Sequence, residues 1–212
     1  MNDLAIVIPC RNEGKNIINI LRKLKKNKIF LINDASSDKI IEKINKFKNV
    51  KVINNSKRMG YENSVLKAIK YLYLKKEKKI KYILTMDADG DHNPLYVKKI
   101  YNKIKNSKLD LIIGNRSTKN RKSEIEISEI FKKKFNFEDP LSGFKIYKKN
   151  KLFNVFKKCS KKYFLVDLCI FFFNKKYKIG NLSIITRKNK SRNPRVIKQT
   201  VNKKIFSIKK II

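Results

Sequence analysis

Three acids stand two residues apart in Thr85-Met86-Asp87-Ala88-Asp89-Gly90-Asp91-His92-Asn93-Pro94. In extended backbone, Asp87 and Asp89 would point the same way. Two carboxylates held together repel, and one takes up a proton unless a cation sits between or beside them. Oxygen ligands on a short loop suit Mg²⁺ or Mn²⁺, which keep positions open for substrate phosphate oxygens. A solvated acidic turn is spelled the same way, so Asp-x-Asp alone does not decide the matter. The surroundings carry the weight. Further polar clusters stand at Arg11 and Glu13, at Asp34 and at Arg116, each just after an apolar run. His92 is the only histidine, and a turn or packing role is expected of it before a catalytic one.

The elements that must position these groups read as alternating strands and helices. Leu4–Pro9, Ile29–Ile32, Val50–Ile53, Tyr82–Thr85 and Leu109–Ile113 are apolar runs of strand length. Between them, apolar residues recur at helical spacing: Ile17, Ile18, Leu21 and Leu24, then Ile40, Ile41, Ile44 and Phe47, then Val65, Ala68, Ile69 and Leu72. Helices are expected over Tyr61–Leu74 and Pro94–Ile104, the second opened by a proline, which a first turn tolerates. Alternation with short connections implies an α/β fold, a mostly parallel sheet covered on both faces. In such a sheet the strand ends at Arg11/Glu13, Asp34, Asp87/Asp89 and Arg116 share one side, where an open α/β sheet binds its ligand.

The second half is less regular. Ser117–Phe137 is polar and helical in part, and Glu138–Phe144 is a turn leading into Lys145-Ile146-Tyr147. A helix is expected over Asn150–Phe156 and a strand over Ile179–Thr186. Phe164–Tyr177 is ambiguous in composition, and its length favours a helix. Val196–Ile212 is a basic tail, readable as an amphipathic helix on a membrane surface or as a terminal helix packed on its own domain.

At 212 residues the chain is sized for one domain. Its 54 Lys+Arg against 17 Asp+Glu give a net charge of +37, and three readings compete. Such a chain can bind nucleic acid, sit on an anionic membrane, or carry compositional drift. The overuse of Lys, Ile and Asn, with lysines on nearly every expected helix, favours drift. Cys10, Cys159 and Cys169 have no metal-ligand spacing and fit buried thiols in a reducing, cytoplasmic setting. The chain opens directly into a strand, so no signal peptide is expected. The longest apolar stretch, Phe164–Phe173, is interrupted by Asp167 and is far short of the roughly 20 residues of a membrane span.

Taken in order, these motifs resemble family 2 glycosyltransferases of the GT-A fold. Ile8-Pro9-Cys10-Arg11-Asn12-Glu13 is similar to the family's opening Pro-x-x-Asn-Glu, and Asn33-Asp34-Ala35-Ser36-Ser37-Asp38 to its Asp-Asp-Gly-Ser-x-Asp turn. Gly60–Ala68 resembles the Gly-rich entry to the next helix. Asp87–Pro94 resembles Asp-Ala-Asp-Gly-Gln-His-x-Pro, and Ile113–Arg116 the Gly-Ser-Arg strand end. Asp139-Pro140-Leu141-Ser142-Gly143-Phe144-Lys145-Ile146-Tyr147 is similar to Asp-x-x-Ser-Gly-Phe-Arg-x-Tyr, a mark of the branch that transfers sugars to polyprenyl phosphates. The match runs from the first strand to Arg192.

The resemblance implies one catalytic domain over residues 1–212. Residues 1–116 would be its nucleotide-sugar half, 117–195 its acceptor side and 196–212 the tail helix. It implies an inverting, Mg²⁺- or Mn²⁺-dependent transfer of a hexose, mannose or glucose, from GDP-mannose or a UDP-sugar to a polyprenyl or dolichyl phosphate. By that likeness Pro9, Arg11 and Glu13 line the nucleotide pocket, and Ile32 and Asp34 contact the base and ribose. Asp87 and its neighbour Ala88 fix the donor, while Asp89 and Asp91 bind the metal. Arg116 meets the donor diphosphate or the acceptor phosphate, and Asp139 or Asp167 orients the acceptor. Arg187 and Arg192 match a late basic pair. Contact with the cytoplasmic face of a membrane is expected on this reading, and a nucleic-acid partner is not.

The sequence departs from the pattern in places. Asn33 replaces a common Asp, the segment from Arg116 to Asp139 is short, and Arg187–Arg192 lacks the usual glycine. A family 2 enzyme with a glycan or other non-lipid acceptor is the alternative, with a nucleotidyltransferase behind it. A basic nucleic-acid-binding protein is the alternative from another class.

Overall fold

The computed structural model describes residues 1–119, 121–160 and 163–186. Its centre is the strand Leu4–Cys10 (β1), buried along its whole length. The sequence Leu-Ala-Ile-Val-Ile-Pro-Cys shows no polar alternation because helices cover both faces of this strand. Gly14–Lys23 (α1) follows, then Lys28–Asn33 (β2), the short helix Ile40–Ile44 (α2) and Val50–Asn54 (β3). Tyr61–Leu74 (α3) leads to Tyr82–Thr85 (β4), and Leu95–Lys105 (α4) to Leu111–Arg116 (β5). Lys122–Phe135 (α5), Lys145–Lys148 (β6), Lys149–Val155 (α6), a 3-10 turn at Phe156–Lys158, Phe164–Asn174 (α7) and Ile179–Ile184 (β7) complete the described chain.

The seven strands form one sheet in the order β3-β2-β1-β4-β6-β5-β7. All neighbours are parallel except β6, which runs antiparallel to both β4 and β5. The expected alternation and mostly parallel sheet are observed. Two antiparallel steps restore direction, so β5 runs with β1, β2 and β4, and their carboxyl ends do share one edge. β1 turns to β2 on one side and meets β4 on the other, which makes the gap between β1 and β4 the topological switch point. There β4 pairs with β1 only as far as Val7 and Thr85. Met86 N–H still donates to the Val7 carbonyl at 3.0 Å, and the acids begin at the next residue.

The core lies in two layers, one on each face of the sheet. Leu4, Ile6 and Ile8 pack with Ile17, Ile20, Ile40, Val97, Ile100 and Ile104 on the α1/α2/α4 side. Ala5 and Val7 pack with Val65, Ile69, Phe131, Leu152, Phe164, Leu168 and Phe172 on the α3/α5/α6/α7 side. The ambiguous stretch after Phe164 is therefore a helix: almost every side chain of its first two turns is buried, so no polar face shows in the sequence. The strand expected from Leu109 begins two residues later, because Asp110 is spent on anchoring. Its carboxylate accepts from Lys148 Nζ at 3.1 Å and from the Lys178 N–H at 3.0 Å. Among the described residues no helix is long and apolar enough to cross a membrane. Arg187, Arg192 and the expected tail helix lie outside the described residues.

Candidate active site

The loops after β1 and β2 are stitched together. Asn12, at φ 53°, donates its backbone N–H to Ser36 Oγ at 3.2 Å, and its Oδ1 accepts the Ser37 N–H at 2.8 Å. Asp34, buried just past β2, accepts from the N–H groups of Met59 (2.7 Å) and Gly60 (2.9 Å) and from Asn55 Nδ2 (2.8 Å). Burial works to raise its pKa, but these hydrogen bonds and the charge of Arg11 outweigh it and hold the carboxyl below its ordinary range. Asp34 is thus an ionised anchor that fixes the entry to α3. Asn33, the departure from the usual Asp, is also spent internally: it donates to Asn54 Oδ1 at 2.9 Å and accepts the Ser36 N–H at 3.0 Å. Arg11 Nη1 is different. It is buried and has no hydrogen-bond partner, an unusual state for a guanidinium donor.

The acidic turn is held by its own backbone. His92 is buried, and its Nδ1 accepts the Asp87 N–H at 3.3 Å while its ring packs tilted against Phe144. Burial pushes the imidazole pKa down against the pull of Asp87, so the ring stays neutral at pH 7. An accepting Nδ1 puts its proton on Nε2. The expected turn and packing role of His92 is what the structure shows. Gly90, at φ 85°, lets the chain double back so that the Asp91 N–H donates to Asp89 Oδ1 at 3.0 Å. Asp87 Oδ1 is buried with no hydrogen-bond partner, although the side chain is 31% exposed overall. Gly143 approaches this oxygen so closely that a Cβ there would lie 2.1 Å from it.

On the other side of β4 the site is a closed ion-pair cluster. Arg116, at the end of β5, donates to both oxygens of Asp139: Nε to Oδ2 at 2.9 Å and Nη2 to Oδ1 at 2.8 Å. The Arg116 backbone N–H adds a third bond to Oδ2 at 3.0 Å, and Nη1 lies 3.5 Å from Glu124 Oε1. Asp139 is 1% exposed and sits at φ 54°. Its burial favours the neutral acid, but Arg116 overrides this and keeps the pKa below the ordinary carboxylate value. Asp139, expected to orient the acceptor, therefore faces Arg116 with both oxygens. Asp167, the other acid considered for that role, caps the segment before α7 by accepting the Ser160 N–H at 2.7 Å. Beside the cluster runs a groove of about 500 Å³ lined by Ser117, Thr118, Lys119, Ser128, Lys132 and Glu138, with Ile125 as an apolar contribution.

The structure brings Arg11, Glu13, Asp34, Asp87, Asp89, Asp91 and Arg116 to one edge of the sheet, as their positions after strands require, and the loop leading into the antiparallel β6 brings Asp139 to the same edge. Ile32, Pro9 and Ala88 are buried, Ile32 and Ala88 within the core. Any contact they make with a ligand is through backbone, because their side chains already pack inside. Among the described residues no three His, Cys, Asp or Glu side chains gather as a metal cluster. The donor set of the turn still fits a hard cation, since Mg²⁺ is commonly held by one or two carboxylates together with substrate phosphates. Two residues escaped the sequence reading. Lys145 is fully buried and donates to the Pro140 carbonyl at 2.8 Å and to the Ser142 carbonyl. Tyr61 sends its hydroxyl to the Gly143 carbonyl at 3.3 Å. The signal for Lys145 was present, a charged residue in a strand that must lie inside the sheet. Tyr61 reads as an ordinary helix start and gave none.

The sequence model described as glycosyl transferase family 2 matches residues 5–179. The chain belongs to that family and is a glycosyltransferase. It is 30% identical over 165 residues to an uncharacterized protein of Methanocaldococcus jannaschii, covering 68% of this chain and 71% of that protein. It is 27% identical to the dolichol-phosphate mannosyltransferase of Pyrococcus furiosus over 66% of this chain, which spans 45% of that relative's length. Glucosyl-3-phosphoglycerate synthase of Mycobacterium tuberculosis, solved with UDP, superposes with a TM-score of 0.72 over 96% of this chain and 79% of the synthase, at 13% identity. That likeness speaks to the GT-A fold, which the sheet order and switch point share.

Proposed function

We propose that this chain transfers a hexose from a nucleotide-diphosphate sugar to a polyprenyl phosphate, with inversion. The observation that carries the reading is the convergence of the acidic turn, Arg11 and Arg116 on one sheet edge, over the β1/β4 switch point. A buried guanidinium nitrogen of Arg11 and a buried oxygen of Asp87 are left without partners there. Asp89, with Asp91 beside it, would hold Mn²⁺ or Mg²⁺, and Asp87 and Arg11 would hold the donor. A divalent ion bound there supplies positive charge to the departing diphosphate. The acceptor phosphate oxygen bonds to the anomeric carbon from the face opposite the leaving group. The bond from that carbon to the diphosphate oxygen breaks, and its electron pair leaves with the nucleoside diphosphate. An acceptor phosphate is already an oxyanion at neutral pH, so no strong base is required. This agrees with Asp139 serving Arg116, which it aims and keeps charged toward the phosphates.

The relative named dolichol-phosphate mannosyltransferase and the Asp139–Tyr147 motif support the lipid acceptor. A net charge of +37 would favour contact with an anionic membrane surface. The polar lining of the groove beside Arg116 favours a second reading, a hydrophilic acceptor. The deciding experiment offers labelled GDP-mannose, UDP-glucose and UDP-N-acetylglucosamine in turn, with polyprenyl phosphate and Mn²⁺, and counts label entering the organic phase. Label from one donor, lost in Asp89→Ala, supports the lipid acceptor. Donor binding with slow hydrolysis but no lipid-soluble label discards the lipid and leaves the hydrophilic acceptor. No donor binding overturns the reading.

A further inference from the structure

We infer that Tyr61 is a positioning residue for Asp87, acting through its phenolic hydroxyl. The inference rests on the donor-side reading proposed above. Tyr61 is the first residue of α3, placed by Gly60 at φ 83° and by the two backbone hydrogen bonds that Met59 and Gly60 give to Asp34. Its ring packs against the core on the α3/α7 side. Its hydroxyl donates to the Gly143 carbonyl at 3.3 Å, long for an O–H···O bond. That carbonyl already receives a better one, from Thr85 Oγ1 at 2.7 Å. The point that a Cβ on Gly143 would occupy lies 2.6 Å from the Tyr61 hydroxyl and 2.1 Å from Asp87 Oδ1. The hydroxyl and the unpartnered carboxylate oxygen thus converge on one glycine that leaves them room.

The chemistry of the three groups fixes the assignment. Burial, with Asp87 next to it, raises the Tyr61 pKa far above its ordinary value, so the phenol keeps its proton and remains a donor. A carboxylate is a stronger acceptor than a carbonyl already bonded to Thr85. A small rotation of the hydroxyl redirects its proton from Gly143 to Asp87 Oδ1. His92 Nδ1 lies 3.7 Å from Oδ2 on the other side. Tyr61 therefore sets the carboxylate's orientation at the mouth of the acidic turn, in the way that outer hydrogen bonds orient the groups around a bound metal. Gly143 is required for the same contact, because any side chain would push into both partners.

The test compares Tyr61→Phe with Thr85→Val. Both remove a hydroxyl that donates to the Gly143 carbonyl, and only the first removes a donor within reach of Asp87. Binding of Mn²⁺ in the presence of UDP, and separately of GDP, is followed by electron paramagnetic resonance, with Tm measured alongside. The expected result is a loss of about 10- to 100-fold in Mn²⁺–nucleotide affinity for Tyr61→Phe, with an unchanged Tm and with Thr85→Val binding as the parent does. Parent-like binding by Tyr61→Phe overturns the inference. Equal losses in the two variants also overturn it, since the effect would then run through the Gly143 loop. A parent protein that binds neither Mn²⁺ nucleotide removes the donor-side reading itself, and this inference falls with it.

Discussion

The two sides of β4 treat their charges in opposite ways. Toward β1, Arg11 Nη1 is buried with no hydrogen-bond partner, Asp38 Oδ1 shares that state in the loop after β2, and so does Asp87 Oδ1 just past the end of β4 itself. Toward β5, Arg116, Asp139 and Glu124 satisfy one another, and Glu138 accepts from Lys132 at 3.1 Å and from Asn115 Nδ2 at 2.8 Å. Unpaired buried polar atoms cost stability and persist where function demands them. A closed ion-pair cluster holds its own shape before any ligand arrives. The donor side is therefore built to be completed by a ligand. The β5 side is built to present one preset cation, Arg116, to whatever comes.

The largest expected effect tests the closed side. Asp139→Ala leaves Arg116, 17% exposed, without its bidentate partner, and should destabilise the fold by about 3–5 kcal/mol, read from urea unfolding. The pair also has a pH signature. Asp139's folded pKa lies below its unfolded one, so its stabilisation is fully present above about pH 4. It is lost as pH falls through the folded value. The parent should lose stability in that acid window, and Asp139→Asn should lose less. A parent-like urea midpoint for Asp139→Ala would mean that the cluster is not closed and would erase the contrast between the two sides.

Asp89→Ala tests the open side. Its expected cost is in turnover, about 10²- to 10³-fold in kcat, with stability lowered by only about 1 kcal/mol, for the lost contact to the Asp91 N–H. A large loss of stability with modest loss of turnover would give the acidic turn a structural role instead. Gly143→Ala sits on the boundary. A Cβ there would lie 2.1 Å from Asp87 Oδ1 and 2.6 Å from the Tyr61 hydroxyl, which predicts an overpacking cost of about 1–3 kcal/mol together with weakened donor binding. Stability loss alone would place Gly143 with the closed cluster.

The same contrast explains what the sequence could reveal. The fold was legible because β1, β2 and β4 are uninterrupted apolar runs, and strands buried on both faces must be so. Their polar ends had to fall on one edge once the sheet was parallel, and this gave Arg11, Asp34, Asp87, Asp89 and Arg116. What did not show was pairing. Nothing in the spacing of Arg116 and Asp139 says that two residues 23 positions apart share three hydrogen bonds. The reversal of β6 brings them together, and a four-residue strand carries no mark of direction. Asp34 was expected to contact base and ribose, because turns rich in Asp, Asn and Ser hide whether their side chains face outward or cap their own backbone. Tyr61 was invisible for a related reason, since its function lies in a hydroxyl meeting a loop 82 residues away.

The smallest expected effect concerns Arg11, and it sharpens the open side most. Asn33 is committed to Asn54 and Ser36, and Asp34 to Asn55, Met59 and Gly60. The unpartnered Nη1 of Arg11 is then a strand-end donor free to meet the nucleotide on the reading proposed above. Arg11→Met keeps an apolar stem of similar reach and removes the donor. One charge-assisted hydrogen bond contributes about 1.5 kcal/mol or somewhat more, so donor affinity should fall about tenfold. Because Arg11 also helps hold Asp34 ionised, the variant tests two linked ideas with two measurements. Calorimetric titration with UDP and with GDP reads the donor contact, and the urea midpoint reads the Asp34 anchor. A tenfold loss for one nucleotide and not the other would make Arg11 a reader of the base. Equal losses would put it on the diphosphate or ribose that both share. Unchanged affinity with a lowered midpoint would return Arg11 to the structural side.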